Sequence, residues 1–452
     1  MASLDATVVN VALPHIARDL DTTVSGLQWV LTGYLLSLAS LILLGGALGD
    51  RFGRRRVFVI GTVWFAAASA LCGAAPNIGV LVSARVLQGV GGALLTPGSL
   101  ALIQASFRER DRAAAVGAWS GLIGVAGAVG PFVGGALVDG PGWRWAFLLN
   151  VPLGAATLAL TRAAVPESRD EHPPGGIDVV GAAYAVVSLA AGTWALTRSN
   201  TVAGVVGVVA AAGFVRHVVR ARHPLVPPRL FRDRTFTFIN VMTAQLYAAI
   251  GVAFFLVAYE LQVATKWSAL GAGTALLPST VLMITLSARS GALAQRIGPR
   301  PQLVAGPLLA GAGLLVLARI GEQASWGADV LPGSLLFGLG LVTFVAPLTA
   351  TVMAAADPDH VSVASGVNNA VARTASLAAI AVIPVVAGLT RATGAAAVTH
   401  AFRVALVLAA GVASSAALTA IVGIGRTIVC GRTARRVQCQ LDGPPLQVRI
   451  DA

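Results

Sequence analysis

Charge is what this chain has least of. Asp, Glu, Lys and Arg make up 11% of its 452 residues, where a soluble domain carries about a quarter, so there is too little polar surface to meet water. Lysine occurs once, at Lys266, against 31 arginines. Cysteine is nearly missing: Cys72 falls in an apolar run, Cys430 and Cys439 lie in a terminal tail, and neither disulfide nor metal spacing is present. The six histidines (His15, His172, His217, His223, His360 and His400) sit in loops or at the edges of apolar runs and form no cluster. No GxxxxGK[ST] phosphate loop occurs, so ATP-driven work has no visible engine. No GxSxG nucleophile turn occurs either. An enzyme would need a polar constellation that this sequence does not offer.

What is present is apolar: 56% of the residues are hydrophobic and the mean hydropathy is +0.79. Runs of about 20 apolar residues recur, the length that crosses a bilayer as a helix. Lipid offers no partners to backbone groups, so spans are helices or closed barrels, and runs that are continuous rather than alternating decide for helices. They fall near 25–48, 57–75, 79–103, 113–138, 146–165, 179–197 and 201–219, then near 236–260, 267–288, 302–320, 329–354, 361–388 and 399–424. That makes thirteen full spans. A fragment, MASLDATVVNVALP, precedes them; from Met1 to Leu13 a helix rises about 20 Å, short of the roughly 30 Å of hydrocarbon. It reads as the second half of a helix, and the natural chain is expected to begin upstream. No basic segment of a signal peptide precedes the apolar core.

The net charge of +13 points to membrane orientation rather than to nucleic acid. With the fragment counted as span 1, loops after even-numbered spans together with the tail hold 23 Lys and Arg, odd-numbered loops hold seven, and Arg85 and Arg373 lie inside spans. Basic residues mark the cytoplasmic side, so the even loops and the C-terminal tail are expected there, in a multi-pass protein of the cell membrane.

The stretch GALGDRFGRRRVFVIG, Gly46 to Gly61, returns as GALAQRIGPRPQLVAG, Gly291 to Gly306, with eight of sixteen positions identical and Gln295 where Asp50 stood. Internal duplication is a habit of secondary transporters, whose substrate site lies between the halves near the midplane. Two copies in parallel orientation imply two six-helix bundles with spans 7 and 8 inserted, a 6+2+6 all-α membrane architecture. The expected units are 1–165, 166–235, 236–424 and a tail at 425–452.

These residues bring a family into view. Gly46-Ala-Leu-Gly-Asp50-Arg51-Phe-Gly53-Arg54-Arg55 resembles motif A of the major facilitator superfamily. LDATVVNVALP (Leu4–Pro14) and LQWVLTGYLLSLA (Leu27–Ala39) are similar to the first two spans of its fourteen-span drug:proton antiporters of the EmrB/QacA type. SARVLQGVGGALLTPGSLALI (Ser83–Ile103) resembles motif B with its intramembrane Arg85, and GAVGPFVGGAL (Gly127–Leu137) resembles motif C. WRWAFLLNVPLG (Trp143–Gly154), GIDVVG (Gly176–Gly181) and SGVNNAVAR (Ser365–Arg373) match the starts of span 6 and of the inserted pair, and span 13. The resemblance covers essentially the whole chain. It implies a major facilitator fold and proton-driven export of hydrophobic or cationic small molecules by alternating access. It also implies a lipid-embedded monomer with no bound cofactor. A solute importer on the same fold, or an inactive or sensing relative, is the alternative.

The physics of individual residues assigns roles within that frame. Asp50 beside Arg51, Arg54 and Arg55 forms a charge cluster at a helix boundary that can hold in one conformation and break in another, while Gly46 and Gly53 are expected to permit close helix approach. In span 5, Gly117, Gly121, Gly124, Gly127, Gly130, Gly134 and Gly135 let a neighbour pack closely and Pro131 favours a kink; by resemblance this is the antiporter motif where the halves meet. Ionisable groups within spans are costly and hence functional candidates: Asp5, Arg85, Glu260 and Arg373. Burial disfavours a charged carboxylate and a neighbouring cation favours it, so moving Asp5 relative to Arg85 would load and unload a proton, and a cationic substrate would compete for the same carboxylate. Pro14, nine residues on, is expected to end span 1, which buries Asp5 by about 13 Å. Glu260 is the next acid for coupling. Trp29, Tyr34, Gln88, Gln262, Asn368, Asn369 and Arg373 are candidates to line the cavity.

Overall fold

The computed structural model describes residues 1–106, 122, 126, 129–168, 178–198, 200–222, 224, 226, 228–355 and 361–425. Among these the regular structure is helical, without strands. The first bundle is built from α1 (Ala2–Asp19), α2 (Val24–Phe52), α3 (Arg54–Gly73), α4 (Ile78–Ser106), α5 (Val129–Asp139), α6 (Trp145–Leu148) and α7 (Asn150–Ala164). The inserted pair is α8 (Val179–Arg198) and α9 (Thr201–Arg220). The second bundle holds α10 (Arg234–Val263), α11 (Ala269–Thr274), α12 (Leu277–Ile297), α13 (Arg300–Leu317), α14 (Leu331–Ala354), α15 (Val361–Val386) and α16 (Ala395–Gly423). Eleven described helices, some interrupted by a turn, are long and apolar enough to cross a membrane.

Helix ends fall where the local chemistry puts them. Thr23 and Ser268 accept backbone amides three residues on, and Asp233 and Asn200 do the same for α10 and α9, the usual satisfaction of the unpaired first-turn amides. α2 stops at Gly53 with φ +107° and α12 at Gly298 with φ +82°, backbone that L side chains rarely adopt. The two glycines are repeat counterparts. Pro14 does not end the first span: α1 runs through it to Asp19. A proline removes one amide donor, and burial of Leu13 and Ile16 holds the chain helical across the lost rung.

Small residues set the spacing inside each bundle. α2 meets α4 at Gly45, where a Cβ would lie 2.8 Å from the Ala93 carbonyl carbon, whereas Gly46 makes only ordinary contact with Pro97. The close approach therefore sits one residue before the position expected from motif A. Gly61 and its counterpart Gly306 both press on the helix that follows, Gly61 on α4 and Gly306 on α14.

Hydrogen bonds join the bundles at the end opposite the arginine-rich loops. There Gln28 Nε2 donates to the Ile380 carbonyl at 2.8 Å, Gln262 Nε2 donates to the Val11 carbonyl at 2.9 Å, and Asp139 accepts the amides of Ala269 at 3.1 Å and Leu270 at 2.7 Å. α8 lies against α2 and α15, one helix from each bundle.

Candidate functional site

The first bundle encloses a polar core in a wall of apolar side chains. α1 brings Asp5, α4 brings Arg85 and Gln88 three residues apart on one face, and α7 opens with Asn150. Asp5, Arg85, Gln88 and Asn150 are each at most 1% exposed. Arg85 Nη1 donates to Asp5 Oδ2 at 2.6 Å and to Gln88 Oε1 at 2.5 Å, and its Nε donates to the Val30 carbonyl at 3.0 Å. Gln88 Nε2 and Asn150 Nδ2 each donate to Asp5 Oδ1 at 2.8 Å, and Gln88 is shared with Ser69 at 2.7 Å. The guanidinium sits 4.3 Å from the centroid of Tyr34 and 5.7 Å from that of Phe147. A buried ion pair is secure only when further hydrogen bonds satisfy its remaining lone pairs and protons; this one has them.

Asp5 faces into its own bundle. Thr7, Asn10 and Val11, on the other side of α1, line a small cavity with Pro131 of α5, Phe254, Val257 and Ala258 of α10, and Gly273 of α11. In this conformation a substrate between the bundles does not reach the Asp5 carboxylate, because α1 itself intervenes.

Motif C lies at the seam. Gly130 and Gly134 pack on Thr7 and Val8 of α1, whereas a Cβ on Gly135 would fall 2.8 Å from the Ala269 carbonyl oxygen, and one on Gly273 would fall 2.9 Å from the Pro131 carbonyl carbon. Gly117, Gly121, Gly124 and Gly127 lie outside the described residues.

Motif A divides into two parts. Asp50 pairs with Arg54 at 2.8 Å, four residues on, and Arg51 lies over Phe52. Arg55 Nη2 donates to the Arg162 carbonyl in the last turn of α7 at 3.2 Å. Glu167 caps α3 by accepting the amides of Arg55 at 3.0 Å and Arg56 at 3.1 Å, and the Ser168 carbonyl takes the Arg54 amide. In the second copy Arg300 Nη2 donates to the Ile421 carbonyl near the end of α16 at 2.7 Å. The turn and the helix-end cap are thus kept. Asp50 and Arg54 are replaced together, by Gln295 and Pro299.

In the second bundle Glu260 is fully buried; its Oε1 accepts from Thr399 Oγ1 at 2.5 Å, and among the described residues Oε2 has no hydrogen-bond partner. Asn368 Nδ2 donates to Asn240 Oδ1 at 3.1 Å and Thr243 Oγ1 at 2.8 Å, drawing α15 onto α10. Asn369 and Arg373 are half-buried on α15. Ser376 donates to the Tyr247 carbonyl at 2.8 Å. Trp29 faces sideways, its ring 5.6 Å from that of Trp194 on α8. Asn150, Ser69 and Glu167 were missed by sequence reasoning. Asn150 had a signal, a lone amide in the apolar run WRWAFLLNVPLG.

The description "Major Facilitator Superfamily" fits residues 1–381 of the chain. The Tetracenomycin C resistance and export protein of Streptomyces glaucescens is 35% identical over 376 residues, 81% of this chain and 70% of its own length. The Methylenomycin A resistance protein of Streptomyces coelicolor is 35% identical over 399 residues, 85% of this chain and 83% of that one. The Multidrug resistance protein Stp of Mycobacterium tuberculosis is 34% identical over 380 residues, 82% and 70% of the two chains. Among solved structures, a peptide transporter POT in complex with alafosfalin superposes with a TM-score of 0.67 at 16% identity, covering 93% of this chain and 91% of the other. A bacterial homolog of the human lysosomal transporter Spinster, inward-facing and unoccupied, superposes with a TM-score of 0.65 at 16% identity over 93% of each chain. The chain belongs to the major facilitator superfamily. It is a multi-pass membrane transporter, not an enzyme.

Proposed function

We propose that this transporter is a proton-coupled exporter of hydrophobic or cationic small molecules, of the fourteen-span EmrB/QacA type. The units are bundles 1–165 and 236–424, the inserted pair within 166–235 and a cytoplasmic tail at 425–452. It would work as a monomer in the cell membrane, driven by the proton gradient without a bound cofactor. The names of its relatives, resistance and export proteins for antibiotics, support the direction and the substrate class.

The observation that carries the coupling is the Asp5–Arg85 pair with its Gln88 and Asn150 donors. With three donors on its two oxygens, Asp5 is arranged as a carboxylate. Taking up a proton removes the attraction to Arg85 and frees the guanidinium, so each protonation change alters how α1 sits against α4 and α7. Glu260 would serve as the acid of the second bundle. Asp50 and Arg54 would bias the alternation from the cytoplasmic end.

Ethidium efflux from cells expressing the full chain tests this. Efflux should require a proton gradient, stop with an uncoupler, and be lost in Asp5→Asn while weak dye binding remains. Gradient-driven accumulation of dye would instead mark an importer, and no gradient-dependent movement an inactive or sensing relative. Full proton-driven efflux by Asp5→Asn would move the coupling elsewhere, with Glu260 tested next.

A further inference from the structure

We propose that Asp139 is the positioning residue that latches the transporter shut at the end opposite the arginine-rich loops, extracellular in the orientation above. It does so by tying α5 of the first bundle to the start of α11 in the second.

An acid in the last turn of a helix faces that helix's own partial negative charge, so Asp139 gains nothing from α5. The groups it satisfies belong to the other bundle: the amides of Ala269 and Leu270, at 3.1 and 2.7 Å. These are first-turn amides with no partner inside their own helix. The surrounding contact is close enough for a short carboxylate to reach across, because Gly135 and Gly273 bring the backbones of α5 and α11 together. The neighbouring links between bundles, from Gln28 and Gln262, join neutral amides to carbonyls, whereas the Asp139 link carries charge and is the stronger kind. The titratable group of α1 that interacts with it electrostatically is His15. Asp139 is also exposed, so water can take over its oxygens when the bundles part. That combination makes a latch that releases rather than a permanent tie. It depends on alternating access by this fold, and not on proton coupling or on the identity of the cargo.

The test uses the full chain in lipid nanodiscs, without substrate or gradient. Cys430 and Cys439 are replaced by serine, and spin labels are placed through Ala74→Cys and Gln323→Cys, exposed positions in loops of the two bundles at this end. The label-to-label distance distribution reads the closed and parted states. Asp139→Ala should raise the ratio of parted to closed molecules about fivefold, the effect of losing one ordinary helix cap. Asp139→Glu, which keeps the charge, should stay within about twofold of the wild type by the same measure. Asp233→Ala removes a cap of the same chemistry inside the second bundle, Asp233 Oδ1 to the Phe236 amide at 2.7 Å. It should lower the melting temperature without changing the distances. An unchanged distribution in Asp139→Ala overturns the proposal, as does an equal shift in Asp233→Ala. Failure of ethidium export alone bears on the exporter reading and leaves these distances to be judged separately.

Discussion

Arg55 and Arg300 stand at the same place in the two halves, and each reaches a backbone carbonyl in the last helix of its own bundle, Arg162 at 3.2 Å and Ile421 at 2.7 Å. Helix-end carbonyls without an intrahelical partner welcome such cations. Replacing either arginine by alanine should cost about 1 kcal/mol and lower the melting temperature by a similar amount in both halves. Asp50→Asn should leave melting near the wild-type value while changing transport. Thermal unfolding in detergent, with ethidium efflux in parallel, checks the division.

Asp5 and Arg85 should behave as one unit. Asp5→Asn strands a buried guanidinium, a loss of about 3–5 kcal/mol for a broken buried pair. Adding Arg85→Met removes the stranded charge and should restore part of that stability. A double-mutant cycle by denaturant unfolding measures the coupling; simple additivity would contradict it.

Gly134 and Gly135 are adjacent but serve different contacts, Val8 in the same bundle and Leu270 in the other. Gly134→Ala should cost about 1–3 kcal/mol of stability, as overpacking does. Gly135→Ala should instead push the bundles apart. A cysteine from Asn10→Cys, beside the cavity between them, should then react several-fold faster with an impermeant thiol reagent added outside.

Asp19 accepts from Trp143 Nε1 at 2.9 Å and Arg144 Nη1 at 2.7 Å. These two hydrogen bonds, Trp143's first, hold its carboxyl below the ordinary carboxylate value. A depressed acid contributes stability above its unfolded pKa of about 3.9, and loses it as pH falls through the lower folded value. Between pH 5 and 8 the pair should therefore be insensitive to pH. Because the pair is exposed, Asp19→Asn should cost only about 0.5 kcal/mol. Melting curves of both proteins across that range, and below pH 4, decide the point.

The tail after Gly425 and the loops at 49–56, 108–112, 166–178, 220–235 and 289–301 should face the cytoplasm. Cysteines placed there should resist a membrane-impermeant reagent in intact cells. Labelling of 220–235 from outside would reverse the orientation.

Helices were legible because hydrocarbon enforces them: continuous apolar runs placed α2 to α4, α10 and α13 to α16 to within a few residues, while the run at 267–288 missed the break between α11 and α12 and the last turns of α12 to Ile297; the repeated glycine–arginine stretch pointed to two halves. Asp5 and Arg85 stood out because a charge in an apolar run has to be paired. Their neutral partners were harder to see. Asn150 and Ser69 carry no charge penalty that singles them out, and their roles come from three helices converging on one carboxylate. Glu167 acts across more than a hundred residues of chain on the α3 amides, a contact that exists only after folding. The continuation of α1 through Pro14 was hidden for a related reason: tertiary packing outweighed one missing backbone bond.

The two faces of α1 carry different business. Asp5 looks into the first bundle, while Thr7, Asn10 and Val11 look toward the second across the small cavity. Chemistry at the carboxylate and events along the route between bundles are thus separated by the thickness of one helix. If a proton on Asp5 is to be felt by cargo, it has to be felt as torque. Under the proposed coupling, loosening from Arg85 would let α1 roll about its long axis, and the roll would re-present the far face to whatever waits there. The helix would then serve as an axle, and its smooth, small-residue bearing surfaces at Gly130 and Gly134 are what such an axle needs to turn.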